Sequence, residues 1–226
     1  MIQRPGSRLT WVPRTLGHWG LAVWLLGSLS PSVLGAGSSR AADAPPAVGG
    51  VFAGRPLEFD SEVIRMAVRR DSVEVDGLYR FLCRRSAAFL TVFYPYPVDE
   101  RLGGARTVSL EGRTPPSPWR AISFAEVSAP PGATWQLPAA WGDTLEVRAV
   151  YRQALRGRYA RYIVTSTATW GRPLRTARFE VFLEPGMKPR RFSFPFRKAV
   201  SEGKSCYLFE AVDFLPERDL EFEWSK

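Results

Sequence analysis

Histidine occurs once in the 226 residues, at His18, asparagine is absent, and cysteine appears only as Cys83 and Cys206. Beyond His18 no imidazole is left to act as a base in Ser-His-Asp or Cys-His catalysis, or as a metal ligand. Two cysteines cannot by themselves make a zinc site. Lacking asparagine, the chain has no N-glycosylation acceptor. Also missing are GxSxG, the phosphate-cradling GxxxxGK, the dinucleotide glycine fingerprint and CxxC. These absences remove the common hydrolase, nucleotide-binding and thiol-redox chemistries. No cofactor or metal is expected, and the chain reads as non-catalytic.

Long hydrophobic runs are scarce too. The one that stands out, Gly20–Leu29, follows Arg4, Arg8 and Arg14 with no acid between them and precedes the small residues Val33–Ser39. That order is the charged, apolar and small-residue succession of a secretory signal. Broken by Gly27 and Pro31, the run falls short of the ~20 residues of a spanning helix, and no later segment could span. The expected organisation is a cleavable signal over 1–36, a flexible leader over 37–50 rich in small residues and proline, and one domain over 51–226. Periplasmic or extracellular export from a bacterium follows. Residues 1–44 hold Arg4, Arg8, Arg14 and Arg40 against Asp43, so without them the net charge falls from +9 to +6. A modestly basic exported chain is not expected to meet nucleic acid. In an oxidising compartment Cys83 and Cys206 could be joined, closing a loop worth roughly 4 kcal/mol, or could be two separate buried thiols.

From Val51 onward the dominant period is two. Over 73–83, Val73, Val75, Tyr79, Phe81 and Cys83 share one parity, whereas Glu74, Asp76, Arg80 and Arg84 share the other. Similar alternation runs through Leu145–Tyr151, Phe179–Leu183 and Leu220–Trp224. Further strands are expected at Glu62–Val68, Ala88–Tyr94, Thr107–Leu110, Tyr159–Ser166, Arg191–Phe196 and Cys206–Ala211. Short strands punctuated by turn residues predict an all-β fold, a two-sheet antiparallel β-sandwich. Tyr151–Tyr162, with Gly157 in the middle, predicts a hairpin. The proline-rich stretch 112–142 predicts a long connection over the sandwich.

Three groups of residues carry candidate functions. Trp119, Trp135, Trp141 and Trp170 could stack on sugars or anchor a partner, and their ordinary use is to cap a β core. Arg156, Arg158 and Arg161, with Arg152, Arg172, Arg175, Lys188, Arg190 and Arg191 near them in sequence, could meet an anionic polymer or lipid headgroup; their ordinary place is the outward side of exposed strands. The carboxylates Glu58, Asp60 and Glu62, and Glu217, Asp219, Glu221 and Glu223, would serve a glycosidase only if two of them faced each other across a cleft.

Residues 63–97 hold Asp71-Ser-Val-Glu-Val-Asp-Gly-Leu-Tyr-Arg-Phe81 and Phe89-Leu-Thr-Val-Phe-Tyr-Pro-Tyr-Pro97. This order resembles the opening of uncharacterised bacterial secreted β-sandwich domains and, more distantly, of vault/inter-alpha-trypsin-type domains. Leu145–Tyr151, Tyr162–Trp170 and Asp213–Trp224 are similar to the later strands of the same group. The resemblance implies a fold and an extracytoplasmic location, and it transfers no site residue. The function expected is contact with an unidentified protein or envelope component. The alternative is a carbohydrate-binding module or carboxylate-based glycosidase built on 112–143.

Overall fold

Alternation along the sequence becomes alternation of burial in space. A computed structural model describes residues 57–139 and 143–226; the expected signal, the leader and Trp141 lie outside them. In chain order the strands are β1 (Leu57–Val68), β2 (Ser72–Cys83), β3 (Ala87–Pro95), β4 (Leu102–Arg113), β5 (Arg120–Ala121), β6 (Phe124–Ser128), β7 (Pro131–Ala139), β8 (Thr144–Leu155) and β9 (Tyr159–Tyr162). A 3₁₀ turn over Thr165–Trp170 leads to β10 (Leu174–Leu183), β11 (Lys188–Phe192), β12 (Arg197–Ser201), β13 (Lys204–Phe214) and β14 (Leu220–Ser225). The all-β class holds. No helix among the described residues is long and apolar enough to cross a membrane.

One layer is an eight-stranded sheet in the order β12-β13-β10-β1-β2-β8-β4-β5. Two three-stranded sheets, β3-β7-β6 and β11-β14-β9, pack on its inward face. Ile64, Met66, Val75, Val147, Phe179 and Val181 from the large sheet share one buried cluster with Leu90, Val92 and Trp135 from the first small sheet and Leu220 and Phe222 from the second. Each half-buried strand thus removes one face from water, at roughly 25 cal/mol per Å² of apolar area.

The architecture departs from a plain two-sheet antiparallel sandwich in two details. The pair β1–β10 is parallel, with Ser61 opposite Thr176 through Val68 opposite Leu183. The second layer is divided in two, and that division leaves a seam.

One irregularity matters for the chemistry. In β1, Phe59 pairs with Phe81 and Ser61 with Arg80, so Asp60 is an extra residue, the mark of a β-bulge. Parity changes there. Glu58 and Asp60 meet arginines on the outward face, whereas Glu62 comes inward beside Tyr79. Alternation alone assigns all three carboxylates to one face.

Two connections differ from expectation. The 112–142 stretch contains β5, β6 and β7. Its prolines are tolerated because Pro131 opens β7 and Pro138 lies past Trp135, where pairing with β6 stops. The hairpin at Gly157 does not form: β8 is already paired on both sides, by β2 and β4, so the chain crosses to the other layer and β9 joins β14. No disulfide joins Cys83 and Cys206. β10 and β1 lie between their strands, a separation of about 14 Å at ~4.8 Å per strand, and a bridge needs Cα atoms within about 7 Å. Both are buried thiols: Cys83 faces the core, and Cys206 shares the outward parity of Leu208 beside Glu180.

Candidate functional site

The seam between the two small sheets opens into a cleft of about 830 Å³, within the ~300–1,000 Å³ of ligand sites. One wall is the end of β3 with Tyr96 and Val98 and the β6–β7 turn, Ser128–Pro131. The other is Arg161 of β9, Ile163, Thr165 and the Glu217–Glu221 segment leading into β14. The sequence leaves this seam open. Pro95, Pro97, Pro130 and Pro131 have no N–H to donate, so the β3 side cannot continue a ladder toward β9.

Both walls are anchored. Tyr96 N–H donates to the Pro131 carbonyl at 2.9 Å. The Tyr96 hydroxyl contacts the Thr107 hydroxyl and donates to Glu126 Oε1 at 3.2 Å, and its ring packs on Tyr151 with centroids 5.3 Å apart. Burial first, then the nearby Glu126 carboxylate, pushes the Tyr96 phenol well above its usual range. Opposite, Asp219 Oδ1 accepts from the Val164 and Thr165 N–H groups at 3.2 and 3.1 Å and from the Thr165 hydroxyl at 2.7 Å, fixing the entry to the 3₁₀ turn. Gly171 closes that turn at φ 75°.

Arg161 spans the seam. It reaches Asp99 at 3.3 Å, and its buried Nε has no hydrogen-bond partner among the described residues. Asp99 is itself held by the N–H groups of Arg101 and Leu102. Arg101 lies over the Tyr159 ring at 3.6 Å and bonds Glu223 at 2.8 Å. The residues after β3 are thereby pinned to the β9 sheet, and the cleft has a rigid frame.

Beneath the seam lies a polar pocket in the core. Tyr79 Oη sits 2.8 Å from Tyr94 Oη and 2.9 Å from Tyr162 Oη. Glu62, only 4% exposed, lies with them, bonded to Tyr162 and with its Oε1 lacking a hydrogen-bond partner among the described residues. Burial pushes its carboxyl up to about 8, so at neutral pH it is a neutral acid. Its parity with Ile64, Met66 and Val68 points inward, whereas the parity it shares with Glu58 and Asp60 points outward, and the bulge resolves the two.

Of the basic and aromatic sequence candidates Arg161 alone lines the cleft, and of the carboxylates Glu217, Asp219 and Glu221 do. Arg156 and Arg158 are exposed on the β8–β9 crossing. Arg152, Arg172 and Arg175 go to the outward face of the large sheet, paired with Glu74, Glu58 and Asp60. Trp135 is buried against Tyr94, Trp170 is buried against Phe59 and Phe81, and Trp119 lies under Arg113. These three tryptophans do not converge on an open surface, contrary to the sugar-stacking expectation. Of the carboxylates, Glu58 and Asp60 are separated from Glu62 by the sheet itself, Asp219 holds the 3₁₀ turn, and Glu221 and Glu223 alternate with buried Leu220, Phe222 and Trp224. Among the described residues no three His, Cys, Asp or Glu side chains group closely enough to hold a metal.

No protein-family profile and no curated protein sequence matches the chain. The fold is similar to that of a candidate nutrient-binding protein of Legionella pneumophila, with a TM-score of 0.54 at 15% identity over 75% of this chain and 67% of that one. An M1 zinc metallopeptidase of Deinococcus radiodurans aligns with a TM-score of 0.47 at 12% identity, over 75% of this chain and 43% of the enzyme. This chain therefore spans less than half of that enzyme. Neither is a vault/inter-alpha-trypsin-type domain. At such identities the first likeness concerns fold alone.

Proposed function

We propose that the chain is an exported, non-catalytic binding module that takes an extended segment of a protein partner of the cell envelope into the cleft between its two small sheets. The observation that carries this reading is the framed cleft itself. On the side away from the prolines, β9 is an edge strand, and an edge strand offers unpaired backbone groups to an added strand. Arg161 supplies a cation at the back, Pro130 and Ile163 supply apolar walls, and Glu217 and Glu221 supply acids at the rim. Export rests on the N-terminal succession of charge, apolar run and small residues.

A photoreactive amino acid at Val98, 41% exposed on the cleft wall, tests the reading in the producing cell. The expected result is one envelope-protein adduct, abolished by Arg161→Ala and absent when the label stands at Val212, 72% exposed on β13. Adducts of equal yield at both positions, or none at Val98, reject the cleft. N-terminal sequencing of the protein from the extracytoplasmic fraction tests export, with residue 37 as the expected first residue.

A further inference from the structure

The outward face of the eight-stranded sheet carries its charges in ion pairs, and most are balanced. Arg113 with Glu146, Arg148 with Asp76 and Arg152 with Glu74 match one to one. Around Glu180, Arg65, Arg178 and Arg197 answer Glu180, Glu202 and Glu210. The balance fails where β1 and β10 begin and β2 ends. Glu58 lies between Arg84 and Arg172, each at 2.6 Å, and Asp60 between Arg175 at 2.9 Å and Arg80 at 4.0 Å. Four guanidiniums share two carboxylates, a local charge of +2. Among the ion pairs of the described residues, this is the one cluster in which cations outnumber acids.

Its depth profile is uneven as well. The two acids are 11% and 6% exposed, while the four arginine side chains are 45–59% exposed. The acids form the base and the guanidiniums the outer layer. A buried carboxylate that holds an arginine in place removes much of the rotamer entropy the side chain would otherwise lose on meeting a ligand. Arg84 meets Glu58 through its Nε and Arg172 through a terminal nitrogen, and both side chains remain more than half exposed.

We infer that this cluster docks the protein on a membrane surface bearing anionic phosphate headgroups. Arginine forks match phosphate oxygens in pairs. Arg80 lies on β2 and Arg84 just past its end, Arg175 lies on β10 and Arg172 in the turn before it, so the four flank β1 over an open pleated face about 10 Å across at ~4.8 Å per strand. A single free phosphate calls for donors converging in a concavity, whereas guanidiniums spread over one face fit repeated headgroups. The net positive charge supports attraction at longer range. Docking there leaves the cleft, in the opposite layer, free for a partner.

Co-sedimentation of the full chain with phosphatidylcholine vesicles, with and without phosphatidylglycerol, tests this. The difference between the two vesicles cancels any contribution of the apolar Gly20–Leu29 run. Arg80→Gln with Arg172→Gln leaves one arginine on each acid and is expected to weaken the anionic component about 25-fold, about 5-fold per arginine. Arg156→Gln with Arg158→Gln removes the same charge from the β8–β9 crossing and is expected to change it less than about 3-fold. Where the first pair fails to fold, Arg172→Gln alone is expected to cost about 5-fold. Wild-type binding should fall with rising salt. Equal losses in the two double variants, no preference for anionic vesicles, or complete displacement by inorganic phosphate at constant ionic strength would each overturn membrane docking.

Discussion

The hydroxyl of Tyr79 on β2 lies 2.9 Å from that of Tyr162 on β9, and it is also within 2.8 Å of Tyr94 on β3. One phenol of the large sheet therefore bonds to a phenol from each small sheet. Since the two small sheets share no strand pairing, this contact is a direct polar link among all three. Tyr79→Phe keeps the ring packing but takes the Tyr79 hydroxyl from Tyr94 and leaves the Tyr162 hydroxyl with Glu62. The expected loss is about 2–3 kcal/mol, measured by urea denaturation.

Gly77 makes room for that phenol. A Cβ at residue 77 would stand 2.0 Å from Tyr79 Oη. Gly77→Ala must displace the ring and break both hydroxyl contacts, so a cost of about 2–4 kcal/mol is expected. The double variant Gly77→Ala/Tyr79→Phe should lose less than the sum of the two singles, because both remove the same contacts.

Glu62 sets a pH dependence of definite sign. Its folded value of about 8 exceeds the ordinary 4.5, so between those values the unfolded chain has given up a proton that the folded chain keeps. Stability is then highest, as far as this group decides it, below pH 4.5, and it falls by about 1.4 kcal/mol per pH unit up to about 8. Glu62→Gln should remove the slope and gain roughly 3 kcal/mol on the wild type between pH 4.5 and 7, read from denaturation curves across that interval.

The outward carboxylates act in the opposite sense. The Arg175 hydrogen bond, against the opposing effect of burial and with help from the charges of Arg175 and Arg80, holds Asp60 below its ordinary value of 3.8. For Glu180 burial pushes upward, and Arg178, Ser201 and Arg65 more than offset it. Their contribution is complete above the ordinary carboxylate values and is lost as pH falls through the lower folded ones. Arg175→Gln leaves Asp60 with Arg80 at 4.0 Å. It should cost about 2 kcal/mol at neutral pH and make the acid limb shallower, as acid titration of the fold would show.

The thiols offer a direct check. Both cysteines are buried and unjoined, so two thiols per chain should react with a thiol reagent in denaturant without reductant, and almost none in the native state. Reductant should leave the melting temperature unchanged. A chain with no reactive thiol in denaturant would contradict this geometry.

Much of the fold was legible because half-burial writes itself into parity. β2, β8 and β14 follow the alternation residue by residue. The β6–β7 region was not legible, since prolines at strand ends read locally as a loop. Nor was the partner of β9: the sequence beside Gly157 favours a hairpin, yet the sheet position beside β8 is already occupied. Of the candidate site, Arg161 was visible as one basic residue among several, and Glu217, Asp219 and Glu221 as one acidic cluster. Their convergence with the stretches near residues 96 and 130 was not visible, since no local pattern connects them.

By itself the sequence determined the all-β class, the inward parity of most strands and a described domain without imidazole, because these depend on composition and on a period of two. Only tertiary structure decided that Glu62 is in the core, that Cys83 and Cys206 stand apart, that four arginines gather over two acids, and that a seam opens beside Arg161. Each of these depends on strand order or on one extra residue in a ladder. Such features arise from competition among strands for neighbours, which is settled by packing over the whole domain and not by any local run of residues.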